Sequence, residues 1–204
     1  MADSCCQVNS IEGGRSQRSA ILIALFINLS FFIGEGIAGL VAQSSALLAD
    51  AVDMGGDTIV YLLSLIVIHR SVKSKTNVAI FNSSFEFVLG LAVLIEAFSK
   101  VFRDVEPVSS TMLIVGSLAL LGNLTTGFFL MRHKDKDVNM KAVWMCTKND
   151  VINNLLTLVA GLGVYYFNSK WADVFAGFAI AGLIVLFSSR VLRESLQALK
   201  NWNV

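Results

Sequence analysis

Two pairs of residues in this sequence have side chains that suit metal coordination, and both pairs lie inside long apolar stretches. Asp53 and Asp57 are four residues apart, and so are Cys146 and Asp150. Residues at this spacing lie on one face of an α-helix, with Cβ atoms about 5–6 Å apart. Three carboxylates and one thiol are ligands that tetrahedral Zn²⁺ accepts. If the two helix faces meet, the sequence predicts a single four-ligand site.

The negative charge of such a site must be balanced by positive charge, because neighbouring carboxylates and a thiolate repel each other. A divalent ion or protons can balance them, so the same carboxylates can hold either metal or protons. The competing interpretation is that Asp53 and Asp57 only hydrogen-bond to Ser, Thr and Asn side chains of other helices. Two pairs on two helices at matching depth favour the metal site.

The elements that position these residues are membrane-spanning helices. Of the 204 residues, 55% are hydrophobic and 15% are charged, whereas soluble domains carry about 25% charged residues. A bilayer core of about 30 Å needs about 20 apolar residues per helix, and six apolar blocks meet this requirement. The blocks are 18–42, 45–68, 77–101, 110–131, 140–167 and 171–192. The sequence therefore predicts an all-α integral membrane protein with six transmembrane helices.

The distribution of basic residues predicts the orientation of these helices. Only Lys100, Arg103 and Lys170 lie on one side, and the basic clusters lie on the other. The positive-inside rule then places both termini in the cytoplasm, as short tails (1–17 and 194–204) on either side of a transmembrane domain (18–193). The net charge of +1 gives no indication of a nucleic-acid partner.

Depth and symmetry also agree with one shared site. Asp53 and Asp57 lie roughly 12–18 Å below the outer end of the second block, and Cys146 and Asp150 lie roughly 9–15 Å from the cytoplasmic end of the fifth. These blocks are the middle members of 1–3 and 4–6, and they cross in opposite directions. This arrangement is compatible with an inverted 3+3 repeat around a midplane site, which is typical of transporters.

Other polar residues inside the blocks are candidates for a path or for support. Asp50 lies closer to the outer side than Asp53, where it suits an exit-path ligand or a partner for Lys148. Lys148 faces away from the metal pair and needs a carboxylate, for which Glu35, Asp50 and Glu86 are candidates. Alternatively, Lys148 permanently neutralises part of the site.

Several other polar residues fit structural roles. Asp173 and Glu96 lie near the outer boundary, where charge costs little. Buried asparagines more often donate hydrogen bonds between helices than bind metal; they are Asn28, Asn123, Asn153 and Asn154. Cys5 and Cys6 in the N-terminal tail could collect soft metals, and disulfides are not expected in the reducing cytoplasm.

Two stretches resemble signatures of the cation diffusion facilitator family. Ser44–Asp57 (SSALLADAVDMGGD) is similar to its second-helix signature, and Asn139–Asp150 (NMKAVWMCTKND) is similar to its fifth-helix signature. In that family a His or Asp, followed by Asp four residues later, binds the transported metal. The resemblance thus implies the following ligands: Asp53, Asp57, Cys146 and Asp150.

Weaker similarities extend the resemblance over nearly the whole chain. Asn28 and Glu35 match a pattern of the family's first helix, so we assign them with Asp50 and Lys148 to a path or support role. Glu86 alone remains of the pattern that opens the third helix. The end of the sequence leads us to expect a short member without the family's C-terminal cytoplasmic domain.

The resemblance implies proton-coupled export of Zn²⁺ or a similar divalent cation from the cytoplasm, usually by a homodimer with alternating access. Protons are then the counter-ion, no cofactor is permanently bound, and the location is the inner membrane of a prokaryote. Cys146 replaces the usual His or Asp, which makes the site softer and could favour Cd²⁺. A non-transporting metal sensor or accessory subunit is the alternative. We expect no enzyme, because the spans contain no Ser/His or His/Glu catalytic grouping.

Overall fold

In the computed structural model, residues 15–66, 72–131 and 138–202 are described, and they form six α-helices and no strand. Their bounds are α1 (Arg15–Val41), α2 (Ser45–Ile66), α3 (Val72–Phe102), α4 (Ser109–Met131), α5 (Val138–Phe167) and α6 (Trp171–Trp202). The predicted all-α membrane architecture with six helices is confirmed. The inverted repeat and the cytoplasmic termini stay predictions. Cys5 and Cys6 lie outside the described residues.

Length and composition support membrane insertion of the bundle. Four helices are long and apolar enough to cross a bilayer, and these are α1, α4, α5 and α6. In α2, three aspartates interrupt the apolar pattern, yet its 22 residues extend about 33 Å, which matches the hydrocarbon thickness. α6 continues about ten residues beyond the apolar block, and these last turns carry charged and exposed side chains.

α2 lies at the centre of the bundle, where it contacts α1, α3, α5 and α6. The other large contacts are α3 with α6 and α4 with α5, and α1 also packs on α4. Close approach needs small residues at two points. A Cβ on Gly177 of α6 would lie 2.5 Å from Cβ of Ser45, and one on Gly39 of α1 would lie 3.0 Å from the backbone nitrogen of Leu48. Both glycines therefore let a neighbouring helix pack directly against α2.

Asp173 joins three helices at the end of the bundle where α2 begins. Its carboxylate accepts hydrogen bonds from Ser44 Oγ at 2.6 Å, from Ser45 N at 2.8 Å and from Ala46 N at 3.1 Å. A carboxylate in this position satisfies the free amides of the α2 N-terminus and the helix dipole. The structural role that the sequence suggested for Asp173 is therefore confirmed.

A buried lysine completes this network from α3. Lys100 Nζ lies 3.4 Å from Asp173 Oδ2 and 3.0 Å from Glu96 Oε1. It also donates to the carbonyl oxygen of Gln43, in the α1–α2 turn. Gln43 itself has a positive φ of 52°, so this contact helps to hold a turn residue in an uncommon backbone conformation. The network fixes the α1–α2 turn, α3 and α6 to one another.

Candidate metal site

α2 and α5 meet along a row of hydrogen bonds between polar side chains. Asn154 Nδ2 donates to Asp50 Oδ2 at 2.6 Å, and Thr157 Oγ1 lies 3.5 Å from the same oxygen. Asn153 Nδ2 donates to Asp53 Oδ2 at 2.7 Å. The face of α2 that carries the aspartates is thus turned towards α5. The asparagines of α5 act as interhelical donors, as the sequence indicated.

Asp57 lies one turn further along this row and is buried. Tyr61 Oη donates to Asp57 Oδ2 at 2.9 Å and lies 3.5 Å from Thr147 Oγ1 of α5. Two contacts therefore fix the antiparallel register, Asp53 with Asn153 and Tyr61 with Thr147. Asp57 is midway between the two α2 residues.

Asp150 occupies the equivalent midpoint on α5, between Asn153 and Thr147, and its side chain is 1% exposed. The register therefore puts Asp57 and Asp150 at the same level of the bundle. Cys146 belongs to α5, but its side chain is outside the part of the chain that the structure describes. Among the described side chains, no three His, Cys, Asp or Glu residues are grouped closely enough to hold a metal ion. The four-ligand site thus stays a prediction.

Glu86 of α3 is a carboxylate near the site that the predicted ligand set did not include. Its side chain packs on Gly56 of α2, where a Cβ would overlap Oε1 and lie 2.7 Å from Cδ of Glu86. Asn82 Nδ2 donates to Glu86 Oε1 at 2.8 Å. Gly56 adjoins Asp57 in the chain, so this contact places the Glu86 carboxylate beside the aspartates of α2. The sequence signals were a charge inside an apolar block and a glycine between two aspartates.

Glu35 and Asn28 are both fully buried on α1, but they have different surroundings. Glu35 lies at the level of Asp50, because a Cβ on the next residue, Gly36, would lie 4.0 Å from Cβ of Ala51. Neither carboxylate oxygen of Glu35 accepts a hydrogen bond from a described residue. Asn28 Nδ2 donates to the carbonyl oxygen of Ala24, one turn earlier, at 3.0 Å. Glu35 therefore belongs to the acidic group around α2, whereas Asn28 is bonded within its own helix.

Lys148 does not have the partner that the sequence predicted. Its side chain is exposed, and it makes no ion pair with Glu35, Asp50 or Glu86, all of which the structure describes. The reason is angular, because two residues along an α-helix turn a side chain by about 200°. Since Asp150 faces the bundle interior, Lys148 points outwards. The predicted pairing was wrong.

The chain is similar to a family of membrane proteins and to individual members of that family. The family model for the cation efflux transmembrane domain matches residues 21–200. Over 205 residues the chain is 22% identical to the cadmium, cobalt and zinc/H(+)-K(+) antiporter of Bacillus velezensis, with 94% of this chain and 66% of the relative covered. It is 26% identical over 202 residues to the zinc transporter ZitB of Pectobacterium atrosepticum, with 92% and 62% covered.

A third relative is the metal cation efflux system protein CzcD of Cupriavidus metallidurans. The chain is 25% identical to it over 194 residues, with 89% of this chain and 61% of the relative covered. The chain thus spans less than two thirds of the length of these curated relatives. Apolar helices and bacterial relatives identify an integral membrane protein of the prokaryotic inner membrane. Because the family model matches most of its length, the chain belongs to the cation efflux family.

Proposed function

We propose that the protein exports a divalent metal cation from the cytoplasm in exchange for protons. The observation that carries this proposal is the row of aspartates on α2 that faces α5 inside a cation efflux domain. Carboxylates inside the hydrocarbon region are costly, and in membrane proteins they mark ion pathways and proton relays. The names of the three relatives describe an antiporter, a zinc transporter and a metal efflux protein. None of them is described as a sensor, so transport is preferred over a binding role alone.

The transported metal binds to four side chains in this proposal: Asp53, Asp57, Cys146 and Asp150. The register of α2 and α5 supports this assignment, because it puts Asp57 and Asp150 at the same level of the bundle. When no metal is bound, Asn153 and Tyr61 donate hydrogen bonds to Asp53 and Asp57. These hydrogen bonds break when the metal binds. Protons enter the acidic interior of the bundle as the metal leaves, and this exchange couples the two fluxes.

The donor set of the site governs which metals it accepts. Carboxylate oxygens together with a thiolate favour Zn²⁺ and softer ions such as Cd²⁺ over hard ions such as Mg²⁺. The relatives' names include cadmium, cobalt and zinc. We expect Cd²⁺ and Zn²⁺ to be the best substrates. A homodimer that works by alternating access is the assembly we infer for transport.

A flux assay tests the proposal directly. The full chain is reconstituted into proteoliposomes that contain a pH-sensitive dye and a Cd²⁺- and Zn²⁺-sensitive dye. We expect metal entry to be accompanied by proton exit in the wild type. Asp57→Asn and Asp150→Asn should abolish both signals without changing membrane insertion. Normal metal flux in both variants contradicts the proposal.

A matched control is available on α6. Arg190 Nε and Glu194 Oε1 form an exposed ion pair at 3.3 Å, with both side chains more than 60% exposed. Such pairs contribute little to stability. Glu194→Gln makes the same change from carboxylate to amide far from α2 and α5, and it should retain wild-type flux.

A further inference from the structure

Glu35 of α1 and Asp50 of α2 form a second acidic group. Both residues are 0% exposed, and they lie at the same level of the α1–α2 contact, because a Cβ on Gly36 would lie 4.0 Å from Cβ of Ala51. Of their four carboxylate oxygens, three accept no hydrogen bond from any described residue: both oxygens of Glu35 and Oδ1 of Asp50. The fourth, Asp50 Oδ2, is satisfied by Asn154. Buried carboxylate oxygens without donors are unfavourable, so this group needs a source of positive charge.

No described side chain supplies that charge. Lys100 is bound to Glu96 and Asp173 at the end of the bundle, and Lys148 is exposed. α4, which packs on α1, contains no ionisable residue. The next ionisable side chain along α2 is also acidic, because Asp53 lies one helical turn from Asp50. Within the described part of the chain, a small cation is therefore the remaining source of the balancing charge.

The chemistry of the pair differs from that of the transported-metal site. Its available ligand atoms are oxygen alone, and the nearest hydrogen-bonding partner, Asn154, is in turn bonded to Asn123 Nδ2 through its own oxygen at 3.1 Å. Oxygen-only sites suit hard cations, whereas thiolates and imidazoles select softer transition metals. Asp50 is one helical turn from Asp53, on the side towards the α1–α2 turn. The pair is thus adjacent to the transport ligands but not identical to them.

We propose that Glu35 and Asp50 form a second cation site, which binds the counter-ion and not the exported metal. The occupant is a hard cation that carboxylate oxygen alone can hold, either a proton or an alkali or alkaline-earth ion. The role of counter-ion rests on the proposed transport function. The existence of the site does not, because it follows from the three oxygens without donors.

Infrared spectroscopy of the full chain in lipid nanodiscs tests the binding. The Asp57→Asn/Asp150→Asn background removes two transport ligands, and Glu35→Gln in that background isolates the signal of Glu35. Spectra are recorded in choline chloride, and then at the same pH after addition of K⁺, Na⁺, Mg²⁺ or Ca²⁺. A protonated carboxyl band that depends on Glu35 and disappears as the pH rises identifies the proton. A shift of the Glu35 carboxylate bands on addition of one metal ion identifies that ion. Glu35 bands that respond to neither pH nor salt overturn the proposal.

A second measurement tests the role in transport with only Glu35→Gln in the wild-type chain. At a counter-ion concentration that saturates the wild type, Cd²⁺ binding measured by calorimetry should stay within about twofold of wild type, because the neutralised carboxylate and the amide carry the same charge. The dependence of Cd²⁺ flux on the counter-ion gradient should fall at least about tenfold. Loss of Cd²⁺ binding would show that Glu35 belongs to the metal site, and unchanged coupling would refute the counter-ion role.

Two further comparisons keep these outcomes distinct. If the wild type shows no metal flux at all, the proposed function fails, whereas the infrared result still decides whether the second site exists. If Glu35→Gln does not insert, Asp50→Asn removes the other carboxylate of the pair and takes its place. Glu194→Gln, the exposed carboxylate-to-amide change, should leave both the spectra and the coupling as in wild type.

Discussion

Gly56 allows Glu86 to lie beside the aspartates of α2, and replacing it by alanine should therefore destabilise the protein. A Cβ at this position would overlap Oε1 of Glu86 and lie 2.7 Å and 2.8 Å from its Cδ and Cγ. Contacts below 3.0 Å force one partner to move. The Glu86 carboxylate would have to leave its hydrogen bond with Asn82, which is 2.8 Å long.

The size of the effect follows from opposing contributions. If Glu86 stays in place, overpacking of the interior costs about 1–3 kcal/mol. If Glu86 moves away, the overlap disappears and the lost hydrogen bond costs about 1.5–3 kcal/mol instead. Replacing glycine by alanine within a helix offsets about 0.5–1 kcal/mol of either cost. We expect Gly56→Ala to lower the free energy of unfolding by about 1–2 kcal/mol.

The test is a double-mutant cycle with Glu86→Ala, measured by reversible unfolding in mixed detergent–SDS micelles. Without the Glu86 carboxylate the overlap disappears, so Gly56→Ala should then be neutral or stabilising by about 0.5–1 kcal/mol. Gly182→Ala on α6 is the matched control, because no atom lies within 4 Å of its Cβ. Equal destabilisation by Gly56→Ala in both backgrounds would refute the close packing of Glu86 on α2.

Two further predictions concern the buried network and the exposed lysine. Asp173→Ala should lower the free energy of unfolding by about 3–5 kcal/mol, because it leaves Lys100 with one fewer carboxylate and the α2 amides without an acceptor. Asp173→Asn should lower it by less. A loss below about 1 kcal/mol for the alanine variant contradicts the capping role of Asp173. Lys148→Met should change Cd²⁺ affinity by no more than about twofold, since exposed charges are strongly screened; a tenfold change in calorimetry would mean that Lys148 does neutralise the site.

The helices could be predicted from the sequence because each apolar block is long enough to cross a bilayer and offers no alternative way to be buried. The end of α6 could not be predicted in this way. Beyond residue 192 the apolar pattern stops, but the backbone hydrogen bonds of a helix continue at no cost when charged side chains such as Arg193 and Glu194 are exposed. Hydropathy thus marks the part of a helix in lipid and misses its extension.

The site was predictable only as far as spacing along one helix determines it. The four-residue separation of Asp53 and Asp57 correctly indicated a single polar face, and α2 turns that face to α5. The position of Glu86 depends on how α3 rotates against α2, which spacing within α3 does not determine. Lys148 was expected to face away from Asp150, but the same angle also turns it out of the bundle and away from Glu35, Asp50 and Glu86.

The closeness of the two acidic groups gives a physical basis for exchange between counter-ion and metal. Asp50 and Asp53 are three residues apart, about 4.5 Å along the helix axis. At a separation of one to two helical turns, about 5–11 Å, two unit positive charges repel by about 1.5–3 kcal/mol at an effective dielectric constant of 20, and a divalent metal doubles this value. A cation on Glu35 and Asp50 would therefore weaken metal binding at Asp53 and Asp57 even without movement of the helices.

This coupling predicts competition at a distance. In calorimetric titrations of the wild type, the apparent affinity for Cd²⁺ should fall as the counter-ion that the infrared experiment identifies is raised, by about tenfold for each 1.4 kcal/mol of repulsion. Binding linkage is reciprocal, so Cd²⁺ should release that ion with the same factor. In Glu35→Gln the dependence should largely disappear, whereas in Glu194→Gln it should persist. If Cd²⁺ affinity responds to the counter-ion equally in wild type and Glu35→Gln, competition takes place at Asp53 and Asp57 themselves, and the charge on Glu35 has no part in the exchange.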